Sequence, residues 1–233
     1  MIEIDDAPHV ILFRIFIYTS LLSIIDYIIS LKFNRPYYFV HFLVNSCVVY
    51  ITYHDVYLLY TDFNNSFLKK CNLESVWIIA ALHIYHLVYH KNKIDLQDLI
   101  HHIPTLIGQC SIPLLTHFNG LLISHNVFYL CGLPGGIDYL LLFLTRNYYI
   151  EKITEKRINK YINIWIRCPG TIITSAFLVI IAQTTQSIID FMCIIITIIF
   201  SYWNGLYYME RVLVDYTIKS NKHKTYRRIS STD

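Results

Sequence analysis

The chain has 233 residues, 55% of them hydrophobic and only 15% charged, with a formal net charge of +3 and a mean hydropathy of +0.44. Soluble domains carry about 25% charged residues, and one soluble core of this size has no room for so much apolar surface. The composition excludes an ordinary soluble domain and leads to the expectation of an all-α, multi-pass transmembrane helical bundle.

Apolar runs near the ~20 residues of helix that cross a bilayer recur at 10–30, 37–59, 74–90, 98–116, 120–145, 164–183 and 188–209. They are continuous rather than alternating, which favours helices over a β-barrel. Seven spans are expected, in three parts: a tail and first span (1–36), a bundle (37–216) and a basic tail (217–233). The opening "MIEIDDAPHV" is acidic and lacks the basic region and small-residue cleavage site of a signal peptide. Fifteen Lys and Arg fall on one side of the expected membrane: Lys32, Arg35, Lys91, Lys93, six between Arg146 and Arg167, and five in the tail. Only Lys69 and Lys70 fall on the other. Because basic loops stay cytosolic, the N-terminus is expected in the lumen and the C-terminus in the cytosol.

In chain order, His41, His54 and Asp55 fall toward the ends of the second span, where water can solvate them. Asn64-Asn65-Ser66 is a glycosylation sequon on the expected luminal loop, close to the membrane. In the third span, "HIYHLVYH" places His83, His86 and His90 at i, i+3 and i+7, one stripe of a helix. Such a stripe either hydrogen-bonds neighbouring helices or walls a polar cavity.

The fourth span opens with "DLQDLIHHIPTLIG". Asp98 stands three and four residues before His101 and His102, the spacing at which a carboxylate orients an imidazole. The two rings diverge by about 100°, so one can face a reaction centre while the other meets a neighbouring helix. Burial favours the neutral ring, the form a base or nucleophile needs. A tight hairpin around 117–120 leads to the fifth span, where Pro134, Gly135 and Gly136 predict a kink lining a cavity. His125 and Asp138 are the polar candidates of that span.

The loop that follows spaces Ile150, Ile153, Ile158 and Ile162 between charges and is expected to form an amphipathic helix at the interface. The basic tail, 219–228, fixes topology or meets anionic cytosolic lipids. Nucleic acid is a poor partner, because the basic residues are divided among membrane loops. The six cysteines are scattered singly, without Cys-x-x-Cys, so zinc sites and disulfide frameworks are unsupported.

The segment "KIDLQDLIHHIPTL" resembles that of the TLC-domain proteins, which include the ceramide synthases and other multi-pass lipid-regulating membrane proteins. Ceramide synthases open a span with a basic residue, acidic residues and His-His-x-x-Thr; here Lys93, Asp95, Asp98, His101, His102 and Thr105 take those places, with the acidic residues one position nearer the histidines. In the next span those enzymes carry His-Asp and another aspartate three residues on, where this chain reads His125-Asn126-Val127-Phe128-Tyr129. The resemblance implies residence in the endoplasmic reticulum, or a host membrane for a viral gene. It also implies N-acyl transfer from acyl-CoA, as co-substrate rather than bound cofactor, to a lipid amine. His101 or His102 would serve as base or acyl acceptor, Asp98 would orient it, and Asp138 and His125 would complete the site. The basic loop between Arg146 and Arg167 would meet the coenzyme phosphates. The rival expectation is a non-enzymatic protein of the same fold that binds membrane lipids, maintains the membrane or aids insertion. A membrane di-iron oxygenase ranks lower, since repeated His-x-x-His-His boxes are absent and no metal ligands are expected.

Overall fold

The computed structural model describes residues 7–66, 69–89, 102, 105–110, 112 and 120–230. Its elements are α1 (Pro8–Ser30), α2 (Pro36–Thr61), α3 (Phe63–Ser66), α4 (Glu74–Tyr89), a π-helical piece α5 (Thr105–Cys110), α6 (Leu121–Arg146), α7 (Lys152–Thr184) and α8 (Ile188–Ser230). Among the described residues the extended backbone amounts to an isolated bridge between Lys70 and Gly120. Both α1 and α2 begin on proline, whose missing N–H is no loss at the first helical position.

Among the described residues five helices are long and apolar enough to cross a membrane: α1, α2, α6, α7 and the Ile188–His223 part of α8. The third expected span, α4, is described over 16 residues, about 24 Å of helix. Most of the fourth, including His101 and Asp98, lies outside the described residues, as do His90 and His117.

Side-chain contacts fix the directions. Arg14 Nη1 donates to Glu74 at 2.9 Å, Tyr18 also reaches Glu74, and Thr19 donates to the Ala81 carbonyl, so α1 and α4 run in parallel. Asn45 meets Gly135 and Tyr60 meets His125, so α2 runs against α6. Asn159 bonds Asp138 and Thr174 contacts His125, so α7 also opposes α6; Lys156 pairs with Asp215 and Ser175 donates to the Ile198 carbonyl, which sets α8 against α7. One end of the bundle therefore gathers Lys32, Arg35, Arg146, Lys152 and Lys219, while Lys69 and Lys70 lie at the other.

Two apolar clusters hold the helices together. One joins α1, α2, α4 and α6 through Val40, Val44, Val48, Trp77, Leu82 and Val127. The other joins the far end of α2 to α6, α7 and α8 through Leu59, Leu122, Leu178 and Ile194. Polar residues sit inside and large apolar ones outside: Asn45, His125, Glu155 and Asn163 are buried, whereas Leu12, Phe16, Ile188 and Ile199 are exposed. That inversion suits a chain whose solvent is lipid.

Two local expectations change. The interfacial helix and the sixth span are one continuous helix, α7. Its buried face at the start is polar: Glu155, Asn159, Asn163 and Arg167, spaced by four, are all buried, while Ile158 faces out. The irregularity expected at Pro134 lies just ahead of it, in a π-helical turn at Phe128–Gly132, and the helix then runs on through Pro134, Gly135 and Gly136. The glycines serve close approach. A Cβ on Gly135 would lie 2.8 Å from Asn45 Nδ2, so a side chain there would push α2 from α6 or turn Asn45 aside.

Candidate functional site

A cavity of about 390 Å³ lies within the bundle, in the size range of small-molecule sites. His41 comes to it from α2, His83 from α4, His102 and Thr105 from the fourth expected span, Gly135 and Asp138 from α6, and Arg167 from α7. Three π-helical turns among the described residues border it: Thr105 and Cys110 from the first, Leu130 and Cys131 from Phe128–Gly132, and Arg167 from Asn163–Arg167. A π turn inserts a residue and displaces the side chains around it, and such turns concentrate at functional sites.

The histidine end is a packed set of rings. His83 Nδ1 and His102 Nδ1 are 2.6 Å apart, and both residues are buried. Two neutral rings at that distance require one Nδ1–H donor and one Nδ1 acceptor, so the pair holds complementary tautomers. His86 stacks on His102 with centroids 4.6 Å apart. His41 packs edge-on to His86 at 5.5 Å and against Tyr139 at 4.3 Å. The 2.8 Å contact of His41 Nδ1 with the Tyr37 carbonyl must be a donation, because a carbonyl only accepts. This leaves the acceptor nitrogen of His41 at Nε2.

Asp138 and Arg167 belong to a polar relay. Asn159 Nδ2 donates to Asp138 Oδ1 at 2.6 Å, Asn163 Nδ2 to Asn159 Oδ1 at 2.6 Å, and Arg167 Nη1 to Asn163 Oδ1 at 2.8 Å. Arg167 also sits 5.0 Å from the Tyr208 ring. The rest of the wall includes the apolar residues Val76, Ile79, Leu82, Val127, Leu130 and Phe200.

No family model, curated protein or solved structure matches the chain. Its chemistry must therefore be read from these side chains and from the histidine segment itself.

Of the residues singled out in the sequence, His83, His102, Asp138 and Gly135 share the cavity wall, and His86 lies behind His102. Pro134 and Gly136 flank Gly135 without lining it. His101, Asp98 and His90 lie outside the described residues. His125 is elsewhere, and its partners are structural. Thr174 Oγ1 donates its proton to the Gly170 carbonyl, so at 2.6 Å it accepts from His125 Nδ1–H. Nε2 then accepts from the Tyr60 hydroxyl at 2.9 Å, which commits both ring nitrogens. The next residue, Asn126, accepts from Ser201 at 2.7 Å.

The sequence reading missed His41, Asn45, Tyr139, Arg167 and Arg211 as cavity residues. For Arg167 a signal was present, the period-four polar run that begins at Glu155.

Proposed function

We propose that the protein is a seven-span integral membrane protein of lipid metabolism, N-terminus luminal and C-terminus cytosolic, whose bundle holds a lipid chain in the cavity beside a histidine pair. The observation that carries this reading is the shared cavity of His83, His102 and Asp138 with its mostly apolar wall. A polar group on each of three neighbouring elements is tolerable at membrane depth when they share a ligand, water or one another. The resemblance to TLC-domain proteins supports the endoplasmic reticulum as the membrane and acyl transfer from acyl-CoA to a lipid amine as the reaction.

In that reaction His102 is the favoured acyl acceptor among the described residues. When its Nδ1–H donates to His83, the lone pair of Nε2 is directed to attack a thioester carbonyl. The thiolate leaves and takes up a proton; the amine then attacks the acyl-imidazole, loses its proton and restores the neutral ring. Asp98 and His101, in the same segment, would orient or replace it. The test is expression in cells that lack their own ceramide synthases. New N-acylated lipid that disappears with His102→Ala, in protein still inserted, supports the reaction; none from the wild-type chain rules it out.

A second reading, a lipid-binding protein without catalysis, is favoured by one observation. The positions where ceramide synthases carry His-Asp are here His125 and Asn126, and both are engaged in helix packing. It predicts lipid that copurifies with the chain and survives His102→Ala in proportion to folded protein.

A further inference from the structure

We propose that Asn45 and Asp138 form the head-group site of the cavity, which holds a lipid whose head donates hydrogen bonds, an amine or an alcohol. The inference rests on the lipid-cavity reading above but not on acyl transfer.

Asn45 is 3% exposed and lines the cavity, yet its side-chain amide makes no hydrogen bond among the described residues. Nor is the amide sealed in, since its nitrogen and oxygen keep some open surface. It lies against Gly135, where the missing side chain leaves it room: a Cβ there would be 2.8 Å from Nδ2. Asp138 stands one helical turn beyond Gly135, about 4.5 Å along α6, and lines the same cavity.

The relay fixes what Asp138 offers. A guanidinium has only donors, so Asn163 receives from Arg167 and passes its own amide protons to Asn159, which passes its own to Asp138. Oδ1 of Asp138 is thereby taken, whereas Oδ2 makes no hydrogen bond among the described residues. A carboxylate oxygen only accepts, and an amide both accepts and donates. The complement of this pair is a head with N–H or O–H groups; a head that only accepts leaves Oδ2 unmet. Polar groups at membrane depth need such a partner or water. The apolar residues of the same wall, among them Val76, Ile79, Leu82 and Val127, fit an alkyl chain rather than water alone.

The test uses the full chain in nanodiscs of phosphatidylcholine at pH 7, with tryptophan fluorescence as readout because Trp203 lines the cavity. Two matched pairs are titrated: dodecylamine against dodecyltrimethylammonium, and dodecanol against its methyl ether. Within each pair the chain and charge are equal, and only the first member carries an N–H or O–H. That member is expected to saturate at least tenfold more tightly. Whether the amine or the alcohol binds better then tells which head the site takes; either order supports the site. Asp138→Asn keeps the shape, but its amide oxygen must receive from Asn159, so an NH2 faces the cavity and the donor preference should vanish. Asn45→Leu, and Gly135→Ala, which presses the Asn45 amide aside, should each weaken the preference at least threefold. Saturation without a donor preference, or a preference undiminished in any of these variants that folds, overturns the inference and leaves the lipid cavity standing. If none of the four amphiphiles saturates, the lipid-cavity reading falls and this site with it. His102→Ala should keep the donor preference, so loss of transfer in that variant and loss of this site are separate outcomes.

Discussion

His83 and His102 share one proton between two buried Nδ1 atoms 2.6 Å apart. Either ring removed alone strands a buried polar group, at about 1–3 kcal/mol. His83→Ala and His102→Ala should each lower stability by roughly that amount. The double variant should cost less than the sum, by about 1 kcal/mol. Thermal melts of the four proteins in one detergent measure the cycle; strict additivity would mean that the two rings do not interact.

Cys71 lies between α3 and α4, outside the spanning helices, and burial pushes its thiol up to about 12, with the Ser124 contact pulling weakly the other way. A raised thiol pKa means that the folded chain keeps its proton where an unfolded chain, near 8.5, loses it. In a variant with only this cysteine, maleimide labelling at pH 8 should be about a thousandfold slower than that of an exposed thiol. Its rate should keep rising tenfold per pH unit from 8 to 10, where an ordinary thiol levels off. A plateau near pH 9 would show the thiol to be solvated.

How much of this was legible in the sequence depends on which solvent each residue was read against. His83 and His86 followed from helical spacing, and Asp138 from being a carboxylate within an apolar run. Arg167 was counted as a loop charge because a run of Lys and Arg usually fixes topology. The segment before it was expected to form an amphipathic helix at the interface, with Ile150, Ile153, Ile158 and Ile162 spaced between charges. In lipid the polar stripe from Glu155 to Arg167 turns inward instead, and Ile158 outward. His41 looked solvated because it lies one turn and a half into α2, yet the histidines of α4 pack against it. Two of the π turns, Phe128–Gly132 and Asn163–Arg167, end two residues before a proline, Pro134 and Pro169, whose missing N–H loosens the preceding turn.

The charge asymmetry gives a topology test. If the end with Arg35, Arg146 and Lys219 is cytosolic, a C-terminal tag on microsome-inserted protein should be digested by added protease. A glycosylation tag on the N-terminus should be modified. The reverse pattern would invert the proposed orientation and place the histidine cavity nearer the lumen, away from cytosolic acyl-CoA.

Three of the helix glycines, Gly135, Gly136 and Gly170, should respond to alanine in a fixed order. Replacing an interior helix glycine by alanine gains up to about 1 kcal/mol from the backbone, so the sign depends on what the new methyl meets. At Gly136 the nearest atom would be Asn45 Cβ at 3.5 Å, an ordinary contact, and Gly136→Ala should be neutral or stabilising. At Gly135 the methyl would press on Asn45 Nδ2 at 2.8 Å, the end of a side chain that can turn, so a small loss is expected. Asn45→Ala should rescue it. At Gly170 the methyl would overlap the ring of Tyr129, which packs beside His125. Gly170→Ala should therefore cost the most, about 1–3 kcal/mol, and Tyr129→Leu should recover part of the loss. Thermal melts of the variants in one detergent give the ranking. Gly136→Ala as damaging as Gly170→Ala would mean that α2 and α6 pack more tightly at Asn45 than these distances allow.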